Sequence, residues 1–217
     1  VYTFLSKDEN PNRKKLLFSL ALKDAKDLKA SVLEDHLNCE QGDLPEEIFR
    51  KDLLCPRIFL EELTPYRSVI RGFFEEETKH SFAEQPERIL DYLKKNITFH
   101  AEEEYDTIMA TPVGVLTMKQ GSPLAQKILF VAICRSLNVA ARLNPVTLEP
   151  EYYRDGEFHS VETEAAVLKE ETESAVLTLN AEDGSAWKYY QTWTIGKWNG
   201  TVFETLNYED IAFDGKT

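Results

Sequence analysis

Seven consecutive apolar residues, Ile128-Leu129-Phe130-Val131-Ala132-Ile133-Cys134, leave no polar side on which this stretch could meet water. With its flanks the segment is long enough for several helical turns, so it predicts a helix buried all round, with the rest of the chain as its cover. Its start is written locally. Gly121 supplies a turn, Ser122 is a good N-cap, and Pro123 sits at the first helical position, where its missing N–H costs nothing. Asn138 suits the left-handed conformation that ends a helix, and Val139-Ala140-Ala141-Arg142-Leu143 then reads as a strand.

A helix N-terminus facing a sheet is where a cysteine nucleophile would have its thiol acidified. No cysteine stands there. The three cysteines, at 39, 55 and 134, form no framework: Cys134 reads as a small core residue, and a Cys39–Cys55 pairing stays open. His36 and Cys39 lack the second pair that a zinc site needs, and no cofactor is implied. A net charge of −13 argues against nucleic acid and anionic membrane as partners, and no apolar run approaches the roughly 20 residues that cross a bilayer. The Val1 start and the Asp214-Gly215-Lys216-Thr217 ending suggest a piece of a longer protein.

Before the central helix the pattern is mostly helical. Helices are predicted over 11–23, from a Ser31–Glu34 capping box to Leu37, after Pro45 as far as Pro56, after Thr64-Pro65 and after Pro86. In the fourth of these, Tyr66, Val69, Ile70, Phe73 and Phe74 form one stripe. Residues 100–120, with Glu102-Glu103-Glu104 and a Thr111-Pro112 turn, read as a long loop. Behind the central helix Asp155-Gly156 marks a two-residue hairpin that sets Arg154 opposite Glu157, Tyr153 opposite Phe158 and Glu149 opposite Glu162. A glutamate-rich connection follows, then strand candidates at 175–179, 187–198 and 201–208. The expected organisation is a first domain over 1–165 (helical to 84, core from 85) and a β-rich extension over 166–217 that could begin a sandwich.

The stretch Phe130-Val131-Ala132-Ile133-Cys134-Arg135-Ser136-Leu137-Asn138-Val139-Ala140-Ala141-Arg142 resembles the helix-to-strand passage of the transglutaminase-like branch of the papain-type cysteine enzymes. That passage usually reads "LFVALCRSLGIPAR". The resemblance implies an α+β fold, with a helical half, a buried central helix and an antiparallel sheet. It also implies where the chemistry would lie. The family's cysteine falls on Pro123, its histidine opens a strand at Thr147, and its aspartate falls on Glu162. Nucleophile and base are therefore both replaced, and acyl transfer of this kind needs them. The same resemblance points to large multidomain bacterial proteins, and so to an extracytoplasmic location and to other domains of a longer chain as partners.

Three readings of function follow. The first is a catalytically degenerate domain that binds a polypeptide or glycan or serves as a structural module. The second is a working hydrolase or acyltransferase whose nucleophile is unassigned, Ser122 being a weak candidate that reads first as a helix cap, and the third is an architectural spacer without ligand. For binding, the candidates are Tyr152, Glu149, Glu151, Trp187 and Tyr189, because tyrosine and tryptophan in a row can form a platform. His159 lies opposite Tyr152 and on the other sheet face from Glu162, so it is read as a surface or packing residue rather than a base.

Overall fold

The computed structural model describes residues 2–5, 7, 10–99, 110–161, 193–198 and 203–205. The chain divides into two compact units, Val1–Lys169 and Glu170–Thr217.

In the first unit the predicted central helix is α10, Pro123–Ser136. Residues Ile128 to Cys134 are all fully buried, so the apolar run does decide where the core lies. Around it the order is α1 (Tyr2–Leu5), α2 (Asn12–Ser19), α3 (Leu22–Asp27), α4 (Ala30–His36), α5 (Glu46–Ile48), a π-helical turn (Phe49–Leu54), α6 (Tyr66–Phe73), α7 (Glu76–Glu84), α8 (Glu87–Asn96) and α9 (Pro112–Met118). Two short strands, β1 (Thr98–Phe99) and β2 (Gln120–Gly121), pair in parallel on either side of α9. After α10 come β3 (Ala141–Leu143), β4 (Pro150–Arg154) and β5 (Glu157–Ser160), an antiparallel sheet in that order.

The hairpin register is the predicted one. Arg154 pairs with Glu157, Tyr153 with Phe158 and Tyr152 with His159. Asp155 and Gly156 take φ of 52° and 92°, the positive values that a type I′ turn requires at both central positions. Side-chain alternation then splits the interior in two. Ala141, Leu143 and Tyr152 join α6, α8, α9 and α10 in one core. Ala140 belongs to a second core with Leu16, Leu33, Phe49 and Leu53, against which Tyr153 packs.

Four local expectations are corrected. Thr111-Pro112 does not make a loop turn. It starts α9, with Thr111 Oγ1 accepting the Gly114 amide at 3.1 Å, the same cap-then-proline arrangement that starts α10. The helix over 11–23 breaks at Leu20, whose extended backbone separates α2 from α3. Ser31 lies inside α4 rather than capping it, and Glu34 turns to a bidentate pair with Arg13 at 3.0 and 3.1 Å. The α6 stripe is narrower than drawn: Tyr66, Ile70 and Phe74 are buried, while Val69 and Phe73 are each 45% exposed.

Strand β3 is shorter than 139–143, and Asn138 carries the expected left-handed φ, 66°. Cys39 and Cys55 are separate buried thiols, donating to the His36 and Ser19 carbonyls. In the second unit, β6 (Gly196–Trp198) and β7 (Phe203–Thr205) form an antiparallel pair within the predicted strands. The strand candidate at 175–179, Glu102-Glu103-Glu104 and the rest of 187–195 before Trp193 lie outside the described residues.

Candidate functional site

The site implied by the resemblance is the space between the start of α10 and the start of β4. At the helix end, Ser122 Oγ accepts the Ala125 amide at 3.1 Å and Pro123 occupies the first turn. This hydroxyl oxygen satisfies one of the donors that a helix start leaves open. Gly121 lies against the preceding helix so closely that a Cβ there would stand 3.2 Å from Val115 Cγ1 and 3.3 Å from the Ala125 Cβ. The glycine is therefore a packing requirement of the turn that delivers Ser122.

Across from it, Thr147 lies in a tight exposed turn and not at the mouth of a strand. Asn144 Oδ1 accepts the amides of Val146 and Thr147, at 2.9 and 3.1 Å. Thr147 Oγ1 in turn accepts the Glu149 amide at 3.2 Å. Leu148 takes a φ of 56° to complete the turn, and pairing begins only at Pro150.

Charge crosses the space one helical turn further in. Lys127 of α10 donates to Glu149 Oε1 at 2.7 Å, with side-chain exposures of 12% and 15%. Glu151, within β4, is held by Arg142 at 2.9 Å and by Asn144 at 2.6 Å, and the Arg142 guanidinium stacks 3.6 Å from the Phe158 ring centre. Glu149 and Glu151 thus serve two different ion pairs.

Tyr152 is buried. Its hydroxyl donates to Glu87 Oε1, its ring stacks on His159 at 5.4 Å, and burial with the neighbouring carboxylate pushes its pKa up to about 12. Its aromatic face is occupied by the protein's own side chains. Glu162, Trp187 and Tyr189 lie outside the described residues.

The described histidines are all engaged elsewhere. His36 is fully buried against Arg67, His80 pairs with Glu84 at 3.2 Å, and His159 lies on Tyr152 with Nε2 3.2 Å from the Arg154 carbonyl. Among the described residues no histidine hydrogen-bonds Ser122, and no group of three or more His, Cys, Asp or Glu is arranged to hold a metal ion. No helix among them is long and apolar enough to cross a membrane. Cys134 is buried in the core, where desolvation raises its pKa and holds it as an inert thiol.

The far end of α10 holds a feature that sequence reasoning missed. Arg135 Nε donates to the Ala141 carbonyl at 2.8 Å, and its Nη1 donates to the carbonyls of Cys55 and Arg57 at 2.8 and 2.9 Å. From α6, Arg67 donates to the carbonyls of Arg135 and Leu53 and to His36 Nδ1, and Arg71 donates to the Ser136 and Asn38 carbonyls. Arginine forks here take up carbonyls at the negative end of the helix dipole, including two from the last turn of α10. Asp35 completes the joint by accepting the Arg67 and Ser68 amides, at 2.7 and 3.0 Å, in the first turn of α6.

A helix buried on all sides, its start aimed at the head of an antiparallel sheet, defines the α+β layout of a transglutaminase-like domain. The family model for the transglutaminase-like superfamily matches residues 67–194, more than half of the chain, and the chain belongs to that superfamily. No curated protein and no solved structure matches it.

Proposed function

We propose that this transglutaminase-like domain is catalytically degenerate and serves as a binding or structural module for a polypeptide or glycan. The observation that carries the proposal is the start of α10: Pro123 stands where the family's nucleophile falls, and the adjacent Ser122 hydroxyl accepts the Ala125 amide. Two further observations support it. Thr147 lies in an exposed turn, its hydroxyl oxygen engaged by the Glu149 amide. Lys127 and Glu149 close an ion pair where a base and its substrate would need room. Proline offers neither a nucleophile nor an acidic proton, and threonine takes up no proton near neutral pH. The ligand would approach along the head of β4, past Glu149. An extracytoplasmic setting, among other domains of a longer bacterial chain, is part of the same proposal and rests on the resemblance of residues 130–142.

Amine incorporation into, and hydrolysis of, a labelled generic protein substrate tests it. Wild type is expected to match the no-protein blank, as is Ser122→Ala. Turnover by wild type that disappears in Ser122→Ala would overturn the proposal in favour of a serine-dependent enzyme. Activity gained by Pro123→Cys/Thr147→His would confirm the two assigned positions.

A further inference from the structure

Among the described residues, few apolar side chains cross between the two cores of the first unit. Of the buried residues in the second core, Ala140 alone lies beyond Leu54, and Tyr153 is the one partly buried neighbour from there. The layer from α1 to the π-helical turn is therefore held to the rest mostly by polar contacts. From α6, Arg67 donates to His36 Nδ1 at 3.0 Å and to the Leu53 carbonyl, and Arg71 donates to the Asn38 carbonyl at 2.7 Å. Asp35 accepts the Arg67 and Ser68 amides, Asn138 exchanges two bonds with the Glu40 main chain, and Arg57 pairs with Asp24 at 3.0 Å.

His36, on this seam, makes its bond only as a neutral ring. Its Nδ1 accepts a guanidinium proton, so a protonated imidazole would set two N–H cations against each other across 3.0 Å. Burial above all, then Arg67 and Arg71 of α6 and Arg135 of α10, acts against the charged ring, and the Thr64 main chain opposes them. The nearby carboxylates are committed elsewhere. Asp35, beside it on α4, is held by the α6 amides, and Glu61 accepts the Ile58 and Phe59 amides at 2.8 Å each. Asp52 of the π-helical turn faces Arg135 and Arg142. Cys39 donates to the His36 carbonyl, and Tyr66 lies in T-shaped contact at 4.5 Å.

We infer that mild acid opens the layer from α1 to the π-helical turn as one unit, ahead of the core around α10. Proton uptake at His36 takes away an acceptor of Arg67. That guanidinium also carries the bond to Leu53, so one event loosens α4 and the π-helical turn together. The core around α10 keeps its own apolar packing, since every buried member of it lies at or beyond Tyr66. Opening uncovers the sheet face that bears Ala140 and Tyr153, so the layer works as an acid-released cover. The inference is independent of the fate of the transglutaminase-like cleft.

The test is hydrogen exchange of the whole chain, followed by mass spectrometry from pH 8.0 to 5.0 and corrected for the intrinsic pH dependence of exchange. Amides of α4 and the π-helical turn are expected to share one protection factor, about tenfold or more below that of α10 at every pH. That shared factor should hold steady down to about pH 6.5 and fall about tenfold or more by pH 5.0. His36→Asn, which leaves Arg67 an acceptor that does not titrate, should abolish the fall. Equal protection of α4 and α10, or a wild-type factor that stays constant to pH 5.0, would overturn the inference whether or not the variant folds. So would the wild-type fall persisting in His36→Asn.

Discussion

Mild acid should loosen this fold through a single side chain. His36 is completely buried, its Nδ1 accepts the Arg67 Nε proton at 3.0 Å, and Tyr66 stands edge-on 4.5 Å away. An imidazole that accepts from a guanidinium must be neutral. Burial is the main force holding its pKa well below 6.5, and Arg67, Arg135 and Arg71 add to it. The folded pKa is thus depressed, so the stabilisation is fully present above the unfolded value of about 6.5 and is lost as pH falls towards the folded one. Each pH unit between the unfolded and the folded value costs up to about 1.4 kcal/mol. For a chain of this size that is a fall in Tm of about 3–6 °C per pH unit. His36→Asn keeps an acceptor for Arg67 and removes the titration. Its stability, measured by urea unfolding from pH 7.5 to 5.0, should lack this slope. The lowered carboxyls of Glu34 and Glu47 act in the same direction but only nearer their unfolded values, and Asp52, raised by burial, opposes them. Parallel pH profiles for wild type and His36→Asn would refute the reasoning.

Two further predictions concern α10. Arg135→Lys should lower unfolding free energy by about 2–4 kcal/mol, because one ammonium cannot serve three carbonyls spread over Cys55, Arg57 and Ala141; a loss under 1 kcal/mol in urea unfolding would contradict the assigned role. Lys127→Met should cost about 1–3 kcal/mol by removing the ammonium from a largely buried ion pair with Glu149, and an unchanged thermal melt would contradict that role.

What could be read beforehand was whatever its own neighbours encode. The burial of Ile128 to Cys134, the Ser122-Pro123 start, the Asn138 stop and the Asp155-Gly156 register all depend on residues a few places apart. Thr111-Pro112 carries the same start signal as Ser122-Pro123, but the helix it starts is only 7 residues long and contains Gly114, so the local pattern reads equally well as a turn. Ser31 and Glu34 have capping-box spacing, but a bidentate arginine 21 residues away competes for the glutamate and wins. The guanidinium joint had no sequence signature at all. Arg67 meets the carbonyl of Arg135, 68 positions on, and main-chain acceptors carry no residue identity that could be searched for. Asn144 was equally invisible, since its work is to shape the turn at Val146 and Thr147 and to hold Glu151. For the candidate site, Pro123 and Thr147 could be placed by alignment to the family's pattern, whereas the Lys127–Glu149 pair required the fold.

The two ends of α10 are secured very differently. Three arginines lock its C-terminal end to α4, α6, the π-helical turn and β3, while its N-terminal end is set by a serine, a proline and one tight glycine. Drift at positions 122 and 123 therefore touches neither the guanidinium joint nor the core packing beneath it. A lineage that gave up its nucleophile at this helix start would have kept its architecture intact, and one that needed a new activity could install it there without relearning how to fold.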